Sequence, residues 1–411
     1  MFYDHSYGSY VFQILLTAGM EIQMNTIEKF DNNVMHTYGR FGVVFDKGEK
    51  RTATDENGKQ YIDFGSGIGT NSLGFCDKDW ADAVCSQVRS IQHTSNYYYT
   101  KVQADFAEKL CNATGYSKIF FGNSGAEANE CAIKLARKYS FDKYGKGRHN
   151  IITLVNSFHG RTLCTLSATG QDAFHNYFFP FVEGFVNAKA NDIDDLKSKL
   201  DGTVCAIMLE FVQGEGGVIA LDKDYVKQIA EICADNDILF IADEVQTGVG
   251  RTGKFLASEH FGVKPDVTTL AKGLAGGVPI GACLADEKCS EVLSKGTHGS
   301  TFGGNPIACA GGEVVVDKVT SEGFLDEVAA KGKYIREELE KIDEVAGTSG
   351  LGMMIGITLK TKKAADVAAE SLKNGLMILT AKDKVRLLPP LNITYDEIDK
   401  GLEILKNVLN A

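Results

Sequence analysis

No C-x-x-C pair occurs among the ten cysteines of this 411-residue chain, and no histidine and cysteine group has the spacing of zinc ligands. A structural metal is therefore not expected. Most of the cysteines, such as Cys131, Cys205, Cys233 and Cys283, sit inside apolar stretches as small core residues, which fits a reducing cytoplasm. The first 23 residues contain neither lysine nor arginine, so a secretory signal and a mitochondrial presequence are both unexpected there. Their apolar piece, VFQILLTAGM, is too short to span a bilayer. Met24 is a plausible alternative start, and residues 1–23 are expected to carry no function. Basic charge is the scarcer sign: 43 Lys and Arg against 54 Asp and Glu leave a net charge of −11. Such a surface argues against nucleic acid or an anionic membrane as the main partner, and any anionic ligand must be held by local positive groups. There is no Walker A motif, internal repeat or low-complexity linker.

What is present reads as a two-domain α/β protein. Val43 to Phe64 has the pattern of a β-hairpin, with Asn57-Gly58 as a type I′ turn signal. From about residue 80, helix-like and strand-like segments alternate, which predicts a mostly parallel sheet with covering helices. After about residue 310 the pattern changes to amphipathic helices and short strands. Phe324 to Ile342 reads as a helix. The last helix opens on the capping box Thr394-x-x-Glu397 and carries Ile398, Leu402, Leu405 and Val408 on one face. The expected divisions are an N-terminal extension (1–23), an N-terminal segment joining the small domain (24–70), a large domain (71–310) and a C-terminal α+β small domain (311–411).

Five short apolar runs predict buried strands: 118–121, 151–155, 204–209, 238–242 and 267–270. Each is followed by polar or glycine-rich residues: Asn123-Ser124-Gly125, Phe158-His159-Gly160-Arg161, Glu210 through Gly217, Asp243 through Gln246, and Lys272. Open α/β sheets bind ligands outside the carboxyl ends of their strands. A lone carboxylate, Asp243, and a lone ammonium, Lys272, at such ends are costly unless something uses both. Pyridoxal 5'-phosphate (PLP) uses both, since its aldehyde takes a lysine and its ring nitrogen takes a carboxylate. Gln246 lies within reach of a ring oxygen on this reading. Ser124-Gly125-Ala126 opens a helix, either as a capping box with Glu127 or as a phosphate site made of free N–H groups. Phe158 is either a core aromatic or one that stacks on a planar ring. Arg161 is either a salt-bridge residue or a clamp on a substrate carboxylate. For Glu215 and Arg386 the sequence offers no spacing that pairs them. Gly248-Val-Gly-Arg-Thr-Gly253 fits G-x-G-x-x-G, but Asp243 and Glu244 just upstream would repel a pyrophosphate, and Asp266 opens the next strand instead of closing it.

The strings NSGAEANECAIKLAR, FHGRT, QGEGGV, LFIADEVQTGVGRTG, LAKGLAGGVPIGA and GSTFGGNPIACA occur in this order. Together they resemble the class III (ω-amino) aminotransferases, from about Thr37 to Leu405, with NSGAEANE leaning towards the enzymes of acetylornithine or ornithine. The resemblance implies PLP fold type I and a homodimer with shared active sites. It makes Lys272 the Schiff-base lysine and Asp243 the ring-nitrogen partner, with Gln246 near the ring hydroxyl. Ser124, Gly125 and Ala126 become the phosphate loop and Phe158 the stacking aromatic. Thr301 reaches the phosphate of the neighbouring subunit's cofactor. Tyr38 and Arg161 face the carboxylate of the donor. Glu215 and Arg386 form a switching pair that discriminates an ω-amino donor from 2-oxoglutarate or glutamate. Alternatives inside the family are the ornithine, succinylornithine and 4-aminobutyrate enzymes and the aminomutase of glutamate semialdehyde. Outside it stands a dinucleotide-dependent oxidoreductase built on Gly248–Gly253. Phe211, Gly42, Lys78, Phe75-Cys76-Asp77 and Ser349 depart from the family pattern.

Overall fold

The computed structural model describes residues 24–411. Residues 48–53 with 60–411 form one compact unit, and residues 24–47 with 54–59 form another. The suggested status of residues 1–23 lies outside the described residues. Among the described residues no helix is long and apolar enough to cross a membrane.

The larger unit is built on a seven-stranded sheet. Its strands are β1 (Lys118–Gly122), β2 (Asn150–Leu154), β3 (Phe185–Ala188), β4 (Val204–Leu209), β5 (Leu239–Asp243), β6 (Val267–Leu270) and β7 (Gly281–Ala285). They lie in the order β1-β7-β6-β5-β4-β2-β3. Neighbours from β6 to β3 pair in parallel, and β7 runs antiparallel between β6 and β1. The five expected strands are all present, and their carboxyl ends fall on one edge. Two strands, β3 and β7, have no counterpart in the sequence reading. β7 reads GACLA, small residues with no β-branched run, which gives a weak strand signal.

Alternation explains why these strands read as continuous apolar runs. Ile152, Leu154, Ile207, Leu209, Phe240 and Ala242 belong to one apolar cluster. Ile151, Ala206, Met208, Leu239, Ile241 and Val267 belong to another, with Cys131, Ala132, Ile133 and Leu135 of the long helix α1 (Gly125–Tyr144). Successive side chains point to opposite faces, and both faces are covered. Cys131, Cys205, Cys233 and Cys283 are free and buried, as expected of small core residues.

Towards the C-terminus, helices Phe324–Leu339, Ala364–Lys373 and Tyr395–Asn410 pack with a four-stranded sheet that includes Met354–Leu359 and Lys384–Leu387. The capping box at Thr394 and Glu397 is formed in both directions, and Ile398, Leu402, Leu405 and Val408 are buried. Strand Gln60–Asp63 pairs in parallel with Leu376–Met377, so an early segment is tied to a late one.

The hairpin turn differs from expectation. The Gly58 N–H donates to the Asp55 carbonyl at 2.9 Å, and the Asp55 N–H donates to the Lys59 carbonyl at 3.0 Å. Only Gly58 has a positive φ (+83°), whereas a type I′ turn needs two such residues. The loop is therefore a three-residue one. Asp55 Oδ1 stabilises it by accepting the Asn57 and Lys59 N–H groups, each at 2.9 Å.

Candidate active site

The alternation of β5 decides where its terminal carboxylate points. Leu239 and Ile241 face α1, so Asp243 does too. There its Oδ2 accepts Asn129 Nδ2 at 2.8 Å and faces His159 Nδ1 at 2.8 Å, while Oδ1 accepts the Val245 N–H at 3.1 Å. Asn129 has its own anchors. Its Oδ1 accepts the Thr269 hydroxyl at 2.7 Å, and Nδ2 also donates to the His159 carbonyl at 2.7 Å. Asp243, Asn129 and His159 are all buried, and His159 Nε2 has no partner. A buried carboxylate with this many partners is fixed in direction. Glu244 has the opposite parity. Its carboxylate accepts the Ala257 and Ser258 N–H groups at 2.6 and 2.9 Å on the other side of the sheet.

The loop after β1 lines the same cavity as Asp243. Ser124 caps α1, its Oγ accepting the Glu127 N–H at 3.2 Å. The expected capping box is half formed, because Glu127 Oε2 accepts from Asn123 instead, through both its N–H and its Nδ2. The first N–H groups of α1 thus remain available to an anion at the positive end of a 20-residue helix. A Cβ on Gly125 would lie 2.6 Å from Val245 Cγ1, so the absence of a side chain there lets the two loops close together. Lys272 follows β6 with φ +39°, a left-handed conformation rare for a lysine and a mark of functional strain. Desolvation lowers its pKa below the ordinary lysine value, against the opposing pull of Asp243, Glu215 and Glu210.

Ser124, Gly125, Ala126, Phe158, Arg161, Asp243, Gln246 and Lys272 line one cavity of about 430 Å³. The Arg161 guanidinium lies 4.0 Å from the ring centroid of Phe174 and 5.5 Å from that of Phe158. Arg386 and Glu215, which sequence spacing left unrelated, form an ion pair at 2.6 Å. Gln246 completes a triangle with them: Arg386 Nη1 donates to its Oε1 at 3.2 Å, and its Nε2 donates to Glu215 Oε1 at 3.4 Å. Thr301 lines a different cavity, of about 780 Å³, with Ser95, Asn96 and Gln103. Tyr38 belongs to the other compact unit, where its ring is exposed and lies 5.7 Å from the Arg40 guanidinium.

Asn129, Thr269 and Glu210 carry no role in the sequence reading. Their signal was positional. Asn129 interrupts the apolar stripe of Ala128, Ala132, Ile133 and Ala136. Glu210 and Thr269 share the parity of Met208 and Val267, which aims them at the α1 face beside Asp243.

The G-x-G-x-x-G stretch is structural. Arg251, at its centre, is buried and donates through Nη1 to the carbonyls of Met353 and Pro389 at 3.2 and 2.5 Å. Gly253 has φ +84°, and a Cβ there would lie 2.9 Å from Ala329 Cβ. The stretch opens no long helix and offers no free N–H cradle, so it is not a dinucleotide site.

A sheet edge presenting an anion-binding helix end, a fixed carboxylate and a desolvated lysine around one cavity defines a PLP-type site. Residues 34–409 match the family described as aminotransferase class-III, and the chain belongs to that family of PLP-dependent transaminases. It is 49% identical over 387 residues to an acetylornithine aminotransferase of Haemophilus ducreyi, covering 93% of this chain and 98% of that one. An ornithine aminotransferase structure from Toxoplasma gondii superposes with a TM-score of 0.90 at 29% identity, covering 99% of each chain. An N-acetylornithine aminotransferase structure from Stenotrophomonas maltophilia gives 0.80 at 34% identity, covering 91% and 97%. The fold is PLP fold type I. The donor set fits the cofactor: free helix N–H groups suit its phosphate, and the anchored Asp243 suits a protonated ring nitrogen.

Proposed function

We propose that this enzyme transfers the δ-amino group of N-acetylornithine to 2-oxoglutarate, a step of arginine biosynthesis. The observation that carries the reading is the Arg386–Glu215 pair at 2.6 Å with Gln246 between them. A single site must accept first an amine at the far end of a long donor and then a compact dicarboxylate. An arginine masked by a partly exposed glutamate meets both needs. With Glu215 on Arg386, that guanidinium is already paired. With Glu215 displaced, the guanidinium takes a carboxylate in a two-point contact. The acetylornithine name of the Haemophilus ducreyi relative supports that donor.

The chemistry that PLP supplies is an electron sink for the bond pair released at the substrate carbon. The protein does the rest. Asp243 keeps a proton on the ring nitrogen, and Asn129 and His159 hold Asp243 in place. Ser124, Gly125 and Ala126 hold the phosphate through N–H groups, with Phe158 against the ring face and Gln246 near its hydroxyl. Lys272, whose neutral amine desolvation favours, moves the proton on the substrate carbon. Arg161 holds the α-carboxylate of the donor. Thr301 reaches the phosphate of a second copy's cofactor, which makes a homodimer with shared sites the working unit. The working division is a large domain of 71–310 and a C-terminal small domain of 311–411, with 24–70 as the N-terminal segment joining the small domain. Ten free cysteines suit a cytoplasmic location.

Arg386→Ala tests the reading. The half-reaction with 2-oxoglutarate should lose about two orders of magnitude in kcat/KM, because a charge-assisted two-point contact is removed. The donor half-reaction should change far less. Equal losses in both would refute the switch.

A further inference from the structure

Glu210 is the one carboxylate in this cavity to which the proposed reading gives no task. It follows β4 and is buried, with 5% of its surface exposed. Each of its oxygens holds a different loop. Oε2 accepts the N–H of Phe158 at 2.9 Å, 52 positions away in sequence, and Oε1 accepts the N–H of Gly214 at 3.3 Å. Gly214 precedes Glu215, and its carbonyl accepts Arg386 Nη1 at 3.3 Å. The two loops also touch directly. Gln213 Nε2 donates to the Val155 carbonyl at 2.9 Å, and a Cβ on Gly216 would lie 2.7 Å from the Asn156 carbonyl.

We propose that Glu210 is a positioning residue that couples the aromatic over the cofactor ring to the pair that selects the substrate carboxylate. A glutamate that only closed its own turn would need the Gly214 contact alone. The contact to Phe158 fixes the other loop to the same carboxyl group, so the stacking ring and Glu215 share one reference point. The titratable groups acting on it are His159 and Asp243, and it in turn acts on Lys272. Burial pushes its carboxyl up to about 7, against the lowering influence first of His159 and then of the Phe158 and Gly214 N–H groups. An amide in its position keeps one acceptor oxygen and turns an NH₂ group towards the other N–H, which breaks one of the two links.

The proposal rests on the switching role given above to Glu215 and Arg386, and its test separates the two. Glu210→Gln in the PLP-loaded, full-length protein should speed hydrogen exchange at both 156–162 and 211–217, by about tenfold for the loss of one charge-assisted bond. The β5 segment Leu239–Asp243 should be unaffected. The donor half-reaction, which needs Glu215 held on Arg386, should lose about tenfold more in kcat/KM than the 2-oxoglutarate half. Glu210→Asp, which keeps the carboxylate, should recover part of both effects, and it carries the same readouts should the glutamine variant not fold. Unchanged exchange, loosening of only 211–217, or equal losses in the two half-reactions would overturn the coupling. A failure of the switch itself shows separately, as a 2-oxoglutarate half-reaction indifferent to Arg386→Ala.

Discussion

Lys272 stands in a left-handed conformation beside three carboxylates, yet its pKa moves down, not up. Desolvation outweighs the attraction of Asp243, Glu215 and Glu210, and nearby Arg386 adds to the depression. For a base, a lowered pKa means that the neutral amine is present at lower pH than for an ordinary lysine. Attachment of PLP to the apoprotein, trapped with borohydride and mapped to Lys272 by mass spectrometry, should therefore reach its plateau rate below the ordinary lysine pKa of 10.5. A rate still climbing above that value would contradict the geometry. Lys272→Ala should lower turnover by about 10²–10⁴-fold, the usual share of a positioned acid–base group. This residue and Asp243 were legible in the sequence because a lone charge after a buried strand is expensive. Asn129 was not, because a polar residue inside a helix is unremarkable until its face is known, and the role of Glu210 was hidden because its partners Phe158 and Gly214 lie in two separate loops.

At the scale of elements, strand alternation sorts Asp243 from Glu244 although they are adjacent. Glu244 turns away from the cavity and holds the Ala257 and Ser258 N–H groups and the Thr247 hydroxyl. Burial raises its carboxyl from 4.5 to about 7. Between those values the folded protein keeps a proton that the unfolded chain has released. The associated stability is fully present below about 4.5 and is lost as the pH rises through about 7. Glu244→Gln removes that titration along with an acceptor, and at pH 5 it should cost about 1–3 kcal/mol. Its deficit in melting temperature against the parent should shrink from pH 5 to pH 8. A deficit that stays constant or grows would contradict the assignment. The strand β7 escaped sequence reading for a reason of packing. Gly281 opens it where a Cβ would lie 2.1 Å from the Ser124 carbonyl, so the approach of the loop before α1 dictates a residue without a side chain there. The type I′ signal at Asn57-Gly58 failed because Asp55 offers its own carboxylate to the turn, which favours a three-residue loop.

Across the whole molecule, the sheet edge was legible and the substrate was not. Five decorated strand ends converge because parallel strands bring their carboxyl ends to one side, a consequence of topology that short apolar runs announce. The Glu215–Arg386 pair joins residues 171 positions apart, and no local pattern encodes such a contact. The family match accounts for the aminotransferase class, while the donor is fixed by side chains around the cavity and by the second copy proposed to complete it. The measurement that tests the central claim most directly is a half-reaction titration of the PLP-loaded protein without 2-oxoglutarate, following the visible absorption of the cofactor. N-acetylornithine should bleach it with a kcat/KM about tenfold or more above that of ornithine or 4-aminobutyrate. Bleaching by ornithine or 4-aminobutyrate in preference to N-acetylornithine, or by none of the three, would contradict the account.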